Sequence, residues 1–488
     1  MSRDSVARHA LLLTLIKAVA SATILLTGFR AVSDDDFARV VLAEAWAHAP
    51  KLDPTGTSWL PFPFWIQGTV LAIAGRSLDV ARTTTFILGL VSAVIVYLAA
   101  RWLTRAPRAA LAGAALAAIF PWSARLGVAT VPELLTAALT LLALASLVSD
   151  ASDRPISARR LLGALALLAA TLSRYEPWPI AAGFALLTIL DARRSRPHDR
   201  ARLLASAALA LTGPIAWIAW NYRAHGEALH FLTRVAAYKK ALGAGSNDSA
   251  FARLLAYPVA LVREEPELFA ALATIVAITT ITRLPTLRNQ LARFKRPLLL
   301  ALAQIAALSL AMVNDGAPTH HPERAVLVAM LLAAVIAGDL ASSLFASATT
   351  RTPLLVAATA AVLLAALVIR PRITANESFM PRTDEIEIGR AARARMAQGD
   401  HVLIEIADYS HLAIVAALGR PEDAVLDRSI DPRDPPTPSS FDTASALRDR
   451  IDHSGASWIL ARPSAATRQA LREPLQIQGN WALFAARP

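Results

Sequence analysis

Apolar runs of Ala, Leu and Val, each long enough to enter a bilayer, recur along the first three-quarters of this chain. They restrict the fold more than any motif does. Inside hydrocarbon each backbone N–H and C=O must be satisfied within its own segment, so runs of this kind fold as membrane helices. Spans are expected near residues 10–28, 83–100, 109–124, 132–149, 160–173, 178–190, 203–220, 266–282, 298–313, 324–345 and 353–370. The predicted fold is therefore an α-helical polytopic membrane protein of about 11 transmembrane helices, with a transmembrane domain over 1–370. The first run, Ala10–Gly28, reads as a retained span because no small-residue cleavage site stands out after it.

The net charge of +12 does not point to nucleic acid, because Lys and Arg gather in short loops between the apolar runs. Loops at one set of span ends hold 19 Lys/Arg in 62 residues, and those at the other set hold 13 in 120. Cytoplasmic loops carry the basic excess. The expected N-terminus is thus cytoplasmic, while the long loops 29–82 and 221–265 and everything after Arg370 face outward. This orientation suits an integral protein of a bacterial inner membrane. There is no cysteine, so neither a disulfide framework nor a thiolate metal site is available.

In the first outward loop the apolar stretch Trp59–Ala74 is interrupted by Pro61 and Pro63. It is expected to lie along the interface, where Trp46, Trp59 and Trp65 suit the headgroup region. The rival is a true span at 64–75, which would invert every later loop. The second loop carries Arg223, His225, His230, Arg234, Lys239 and Lys240 around a Gly/Ser/Asn stretch at Leu242–Ser249. It reads either as a flexible cationic segment able to close over an anion or as an ordinary basic surface. Residues 371–488 have the composition of a soluble extracytoplasmic α/β domain. Helical patterns at 384–397 and 444–451 precede strand-like 401–406 and 457–461, and no Gly-rich phosphate fingerprint accompanies them.

Directly after the first span come Asp34, Asp35 and Asp36. Three like charges where a helix leaves the bilayer must be solvated, paired or functional. They are either a solvated start to a helix over Phe37–His48 or an acidic site. Spans 160–173 and 178–190 hold only about 20 Å of helix each, too little for a full hydrocarbon core. Their connecting hairpin, Ser173–Pro177, should then sit below the outer interface beside a cavity open to the outside, unless Arg174 and Glu176 are simply an internal ion pair. Glu133, Asn314, Asp315, His320, His321, Glu323 and Arg324 crowd other span ends on the same side. A divalent metal is conceivable at His320 and His321, but adjacent histidines without an i, i+4 partner are a poor ligand set.

This one-sided grouping would serve transfer from a lipid-linked phosphosugar. Arg174, Arg223 and Arg324 can neutralise the phosphate, and an aspartate of the triplet can take the proton of an attacking hydroxyl. Glu133, Glu176, His320 and His321 are candidates for supporting or acceptor contacts.

The sequence resembles the GT-C class of polyprenyl-phosphate-sugar glycosyltransferases, close to the protein mannosyltransferase and lipid A aminoarabinose transferase group. The matching residues are Ser33–Arg39 with Ala43-Glu44, Trp59-Leu60-Pro61 with Gly68, Val131-Pro132-Glu133, Arg174-Tyr175-Glu176 and Arg324. The resemblance implies an inverting transferase with a polyprenyl-phosphate sugar donor and a lipid, glycan or protein acceptor. Its first-loop acid, on Asp34-Asp35 or Asp35-Asp36, is the base, and Glu133 is the second outward acid, metal-associated in some relatives. A departure is Leu60, where relatives often place a basic residue before the first-loop proline. The alternatives are a transporter or lipid flippase with an outward polar cavity, and a non-catalytic assembly protein.

Overall fold

A computed structural model of the chain describes residues 3–56, 59–104, 106–148, 156–241, 249–314, 321–345 and 381–486. The span expected at 353–370, the stretch 242–248, Asp315 and His320 lie outside the described residues.

Helices α1 (Arg3–Leu26), α4 (Leu78–Leu103), α10 (Pro197–His225) and α15 (Leu327–Phe345) carry the long apolar runs. Between them lie α2 (Asp35–His48), α3 (Phe62–Ala74), α5 (Pro107–Ile119), α6 (Pro121–Leu126), α7 (Glu133–Ser146), α8 (Ile156–Thr171), α9 (Trp178–Arg193), α11 (His230–Ala241), α12 (Ala250–Glu264), α13 (Pro266–Val313) and α14 (Pro322–Ala325). Among the described residues five helical stretches are long and apolar enough to cross a membrane, including Leu287–Val313 within α13. The helical membrane fold is borne out. Helices α5 and α7 are shorter, at 13 and 14 residues.

Three expectations change. First, the second outward loop is mostly helical, with α11 and α12 flanking the stretch outside the described residues. Secondly, the expected loop at 283–297 is helical, so that α13 runs for 48 residues. A straight helix of that length would part its ends by about 72 Å. Yet Glu265, just before it, accepts from Trp122 N at 2.6 Å, and Trp122 Nε1 reaches Glu323 O. Val313, at its end, accepts from Arg253. Midway, Arg293 and Arg296 pair with Asp339 in the second half of α15 and with Asp191 in the last turn of α9. The segment therefore bends back, and it contains Pro285 and Pro297, which cannot donate to the helical ladder. Thirdly, α8 and α9 are each 16 residues because they extend into basic segments. Buried Arg160 donates there to Thr188 and Asp191, and Asp191 also takes Arg296.

Small residues set the closest helix contacts, as membrane packing requires. A Cβ on Gly338 of α15 would fall on the Gly113 backbone of α5. Lys17, buried in α1, finds the carbonyls of Ser123 (2.7 Å) and Ala118 (3.3 Å) where α5 breaks at Phe120-Pro121.

The C-terminal residues form α16 (Thr383–Arg395), β1 (Val402–Ile404), α17 (His411–Leu418), β2 (Ala424–Leu426), α18 (Ala444–Ser454), β3 (Trp458–Ala461), α19 (Ala465–Ala470), β4 (Gln476–Gln478) and β5 (Trp481–Ala485). The sheet order is β2-β1-β3-β5-β4, with β1 parallel to β2 and β3, and β5 antiparallel to β3 and β4. Sequence patterning indicated α16, β1, α18 and β3 but not α17, β2 or the closing hairpin. Ile386 of α16 and Ala413, Ala416 and Ala417 of α17 join one buried apolar cluster with Phe37, Val40 and Ala43 of α2, Phe64 and Leu71 of α3, and Leu78 and Ala81 of α4.

Candidate functional site

The three aspartates take three different environments because α2 starts within the triplet. Asp34 is the N-cap, and its carbonyl accepts from Phe37 N and Ala38 N at 3.1 and 3.0 Å. Its side chain makes no capping bond. Instead Arg382 grips it through Nε (3.1 Å) and Nη2 (2.9 Å). Asp36 is 2% exposed. Its carboxylate accepts from Val32 N, Ser33 N and Thr130 N, while Thr130 Oγ1 donates to its backbone carbonyl. Burial pushes Asp36 up to about 6, against the pull of Arg324 and of the backbone donors. Asp35, with a side chain 38% exposed, is the open acid of the three, and it meets Arg324 Nη1 at 3.4 Å.

Arg324 joins this triplet to the rest. It is buried on α14, donates through Nη2 to Ser33 Oγ at 2.9 Å, and lies 3.8 Å from Glu133 Oε1. Its Nε has no partner among the described residues. Glu133, fully buried at the start of α7, accepts from Arg174 Nη1 at 2.7 Å. The short hairpin between α8 and α9 brings Arg174 onto Glu176, which takes its Nε at 3.0 Å and also its Nη2. Gln304 Nε2 secures the hairpin through the Glu176 carbonyl.

The structure thus gathers Asp35, Glu133, Arg174, Glu176 and Arg324 into one network, with Asp34 and Asp36 at its edge. Two expected phosphate ligands take other partners or positions. Arg174 spends all three nitrogens on Glu133 and Glu176, the internal ion pair weighed from the sequence. Arg223 is exposed on the last turn of α10, and no hydrogen bond or ion pair joins it to this group among the described residues. His321 pairs with Glu323 at 3.1 Å. Among the described residues no three His, Asp or Glu side chains converge as metal ligands, and Glu133 is enclosed by guanidinium groups. Among the described residues the donor set does not fit a divalent cation, and no step below uses one.

Sequence reasoning missed the part played by Arg39, although the residue stood within a quoted motif. One turn after Asp35 on α2, it is 6% exposed, with its guanidinium 4.4 Å from the Trp59 ring centroid and its Nε unpartnered among the described residues. Burial lowers its pKa, opposed by the charges of Glu133 and Asp35. Arg39 lines an otherwise mostly apolar pocket between α3, α4 and the segment leading into α7, with Phe62, Leu88 and Leu134 among its walls. A guanidinium stacked on an aromatic face at such a pocket suits a ligand with an anionic head and an apolar tail. Helix α3, which forms one wall, packs beside α2 and begins with Phe62 N bonded to Leu172 O at the end of α8.

Residues 54–220 match the family of dolichyl-phosphate-mannose-protein mannosyltransferases. This stretch contains Glu133, Arg174 and Glu176 but not the triplet. Among curated proteins, none matches the sequence. The fold is similar to that of ArnT from Cupriavidus metallidurans bound to undecaprenyl phosphate, with TM-score 0.64 and 13% identity over 100% of this chain and 99% of that one. ArnT in the apo state gives 0.59 at 13% identity, covering 97% of each chain. The archaeal oligosaccharyltransferase AglB from Archaeoglobus fulgidus, in complex with an inhibitory peptide and a dolichol-phosphate, gives 0.50 at 16% identity over 93% of this chain and 69% of that one. These likenesses are of fold, and with the family match they bear out the resemblance to the GT-C class.

Proposed function

We propose that this protein is a membrane glycosyltransferase that moves a sugar from a polyprenyl-phosphate donor to an acceptor hydroxyl on the outer side of the membrane. The observation that carries this reading is the pairing of an open acid, Asp35, with a buried guanidinium, Arg324, at 3.4 Å. Asp35 takes the proton of the acceptor hydroxyl as its oxygen bonds to C1 of the sugar. The C1–O bond to the phosphate breaks on the opposite face, inverting C1, and the electron pair leaves with the polyprenyl phosphate. Arg324 and Arg39 neutralise that leaving charge, since guanidinium keeps its proton even when buried and offers paired donors. The polyprenyl chain lies along the apolar pocket beside Arg39. Glu133, Arg174 and Glu176 fix Arg324 and the hairpin instead of touching the donor.

Support comes from the one-sided grouping of charged side chains, from the family match over 54–220, and from the shared fold with a protein that binds undecaprenyl phosphate. The test is turnover by purified protein in detergent with a panel of synthetic undecaprenyl-phosphate sugars and varied hydroxyl acceptors, water included. Release of undecaprenyl phosphate by wild type and not by Asp35→Asn is expected. Absence of release across the whole panel would overturn the reading.

A further inference from the structure

A second guanidinium reaches the aspartate triplet from the far end of the chain. Arg382, immediately before α16, holds Asp34 through two nearly parallel hydrogen bonds, and both side chains are about one-fifth exposed. This grip is not what keeps the C-terminal sheet in place. Ile386, Ala413 and Ala417 are buried with Phe37, Val40 and Phe64, and Arg390–Asp79 and Arg76–Glu422 add ion pairs of 2.7 and 2.6 Å.

Arg382 therefore acts on something more local. Asp34 is held from the C-terminal side, and Asp36 is held from the opposite side by Thr130. Asp34 is the N-cap of α2, so tying its carboxylate and that of Asp36 fixes the first turn of the helix, on which Asp35 sits. Charge works the same way. Asp34 is next to Asp35 in the chain, and Arg382 compensates a carboxylate that would otherwise stand unpaired beside the Asp35–Arg324 contact.

Resting on the reading of Asp35 as the base, we infer that Arg382 is a positioning residue: by clamping Asp34 it orients Asp35 beside Arg324. The groups facing Asp35 are Arg324 in contact, Arg39 and Arg174 within electrostatic reach, and Asp34 and Asp36 on its own turn. Loss of Arg382 adds an uncompensated negative charge to that set.

The experiment compares steady-state kinetics of the full chain in detergent for wild type, Asp35→Asn, Arg382→Ala, Arg382→Lys and the exchange Asp34→Arg with Arg382→Asp. The probe is the undecaprenyl-phosphate sugar that wild type turns over. Arg382→Ala is expected to lower kcat on the order of 10²-fold, with donor KM within about threefold, because the acid is misplaced and donor contacts are not. Its melting temperature should stay near wild type, and the exchange variant should regain most of the lost kcat. Wild-type kcat in Arg382→Ala overturns the clamp, as does activity lost together with melting temperature in both Arg382→Ala and the exchange. Turnover surviving in Asp35→Asn sinks the base assignment itself, whatever Arg382 does.

Discussion

Asp35 and Arg324 stand 289 positions apart in the chain, yet their side chains meet at 3.4 Å. One partner opens α2 and the other closes α14, so the contact forms only when the first and last thirds of the helical layer pack together. It is a long contact to a partly exposed acid, and it should matter little for stability and greatly for chemistry.

Asp35→Asn should reduce kcat/KM by about 10²- to 10⁴-fold, the range of a lost general base. The melting temperature should barely change, because an ion pair with one exposed partner is worth about 1 kcal/mol or less. Kinetics and thermal unfolding of one preparation decide it. Unfolding in place of inactivation would assign Asp35 to the scaffold.

Glu133→Ala should behave in the opposite way. It strands Arg174 and Arg324 beside a buried void, and breaking a buried ion pair costs about 3–5 kcal/mol. Glu133→Gln should cost less, since it keeps the volume and an acceptor. Chemical denaturation in detergent measures both, and wild-type stability in Glu133→Ala would contradict the network.

Arg39→Lys keeps the charge but gives up the planar stack on Trp59. Donor KM should rise by about tenfold, in the range of a partly buried cation–π contact, with kcat changed less. A pure kcat effect would move Arg39 from donor binding to the reacting centre.

Asp36 gives a pH dependence whose sign follows from its burial. Its pKa lies near 6 in the folded protein, above the ordinary 3.8, so the unfolded chain releases this proton first as pH rises. The stability linked to Asp36 is complete below about pH 4 and is lost as pH rises through about 6. The difference in melting temperature between wild type and Asp36→Asn should therefore drift across pH 4–6 and level off above it. A flat difference would refute the assignment.

Gly338→Ala should be poorly tolerated, because the new methyl group meets the backbone of Gly113 and neither helix can yield locally. Overpacking of this kind costs about 1–3 kcal/mol or more. Gly183→Ala meets the flexible end of Leu300 and should cost less. Detergent-extracted yield and melting temperature rank the two.

Much of this arrangement could be read from residue order because it rests on local rules. Apolar runs marked α1, α4, α10 and α15, and charge asymmetry put Glu133, Arg174 and Arg324 at one set of helix ends. Pro61 and Pro63, expected to interrupt the apolar stretch 59–74, instead stand at the start of α3. What could not be read depends on contacts distant in sequence. Nothing near Arg382 shows that it will meet a residue 348 positions earlier. Arg174 carries the same charge as Arg324 on paper, and only the position of Glu176 decides which of the two is consumed. The gap between the apolar runs 266–282 and 298–313 reads as a loop, yet its five Lys/Arg residues are good helix formers, and the charges of Arg293 and Arg296 reach Asp339 and Asp191. Helix α12 has an apolar stripe including Leu254, Tyr257 and Leu261, which a search for 3.6-residue periodicity would have found.

The apolar cluster shared by α2, α3 and α17 has a consequence for biosynthesis. Phe37 and Val40 are made near the beginning of translation, whereas the alanines that cover them are made near its end. A ribosome-bound chain can therefore insert its helices while the acidic turn waits, unroofed, for hundreds of further residues. A premature stop before residue 382 would leave a membrane-embedded protein without that roof and with Asp34 unclamped.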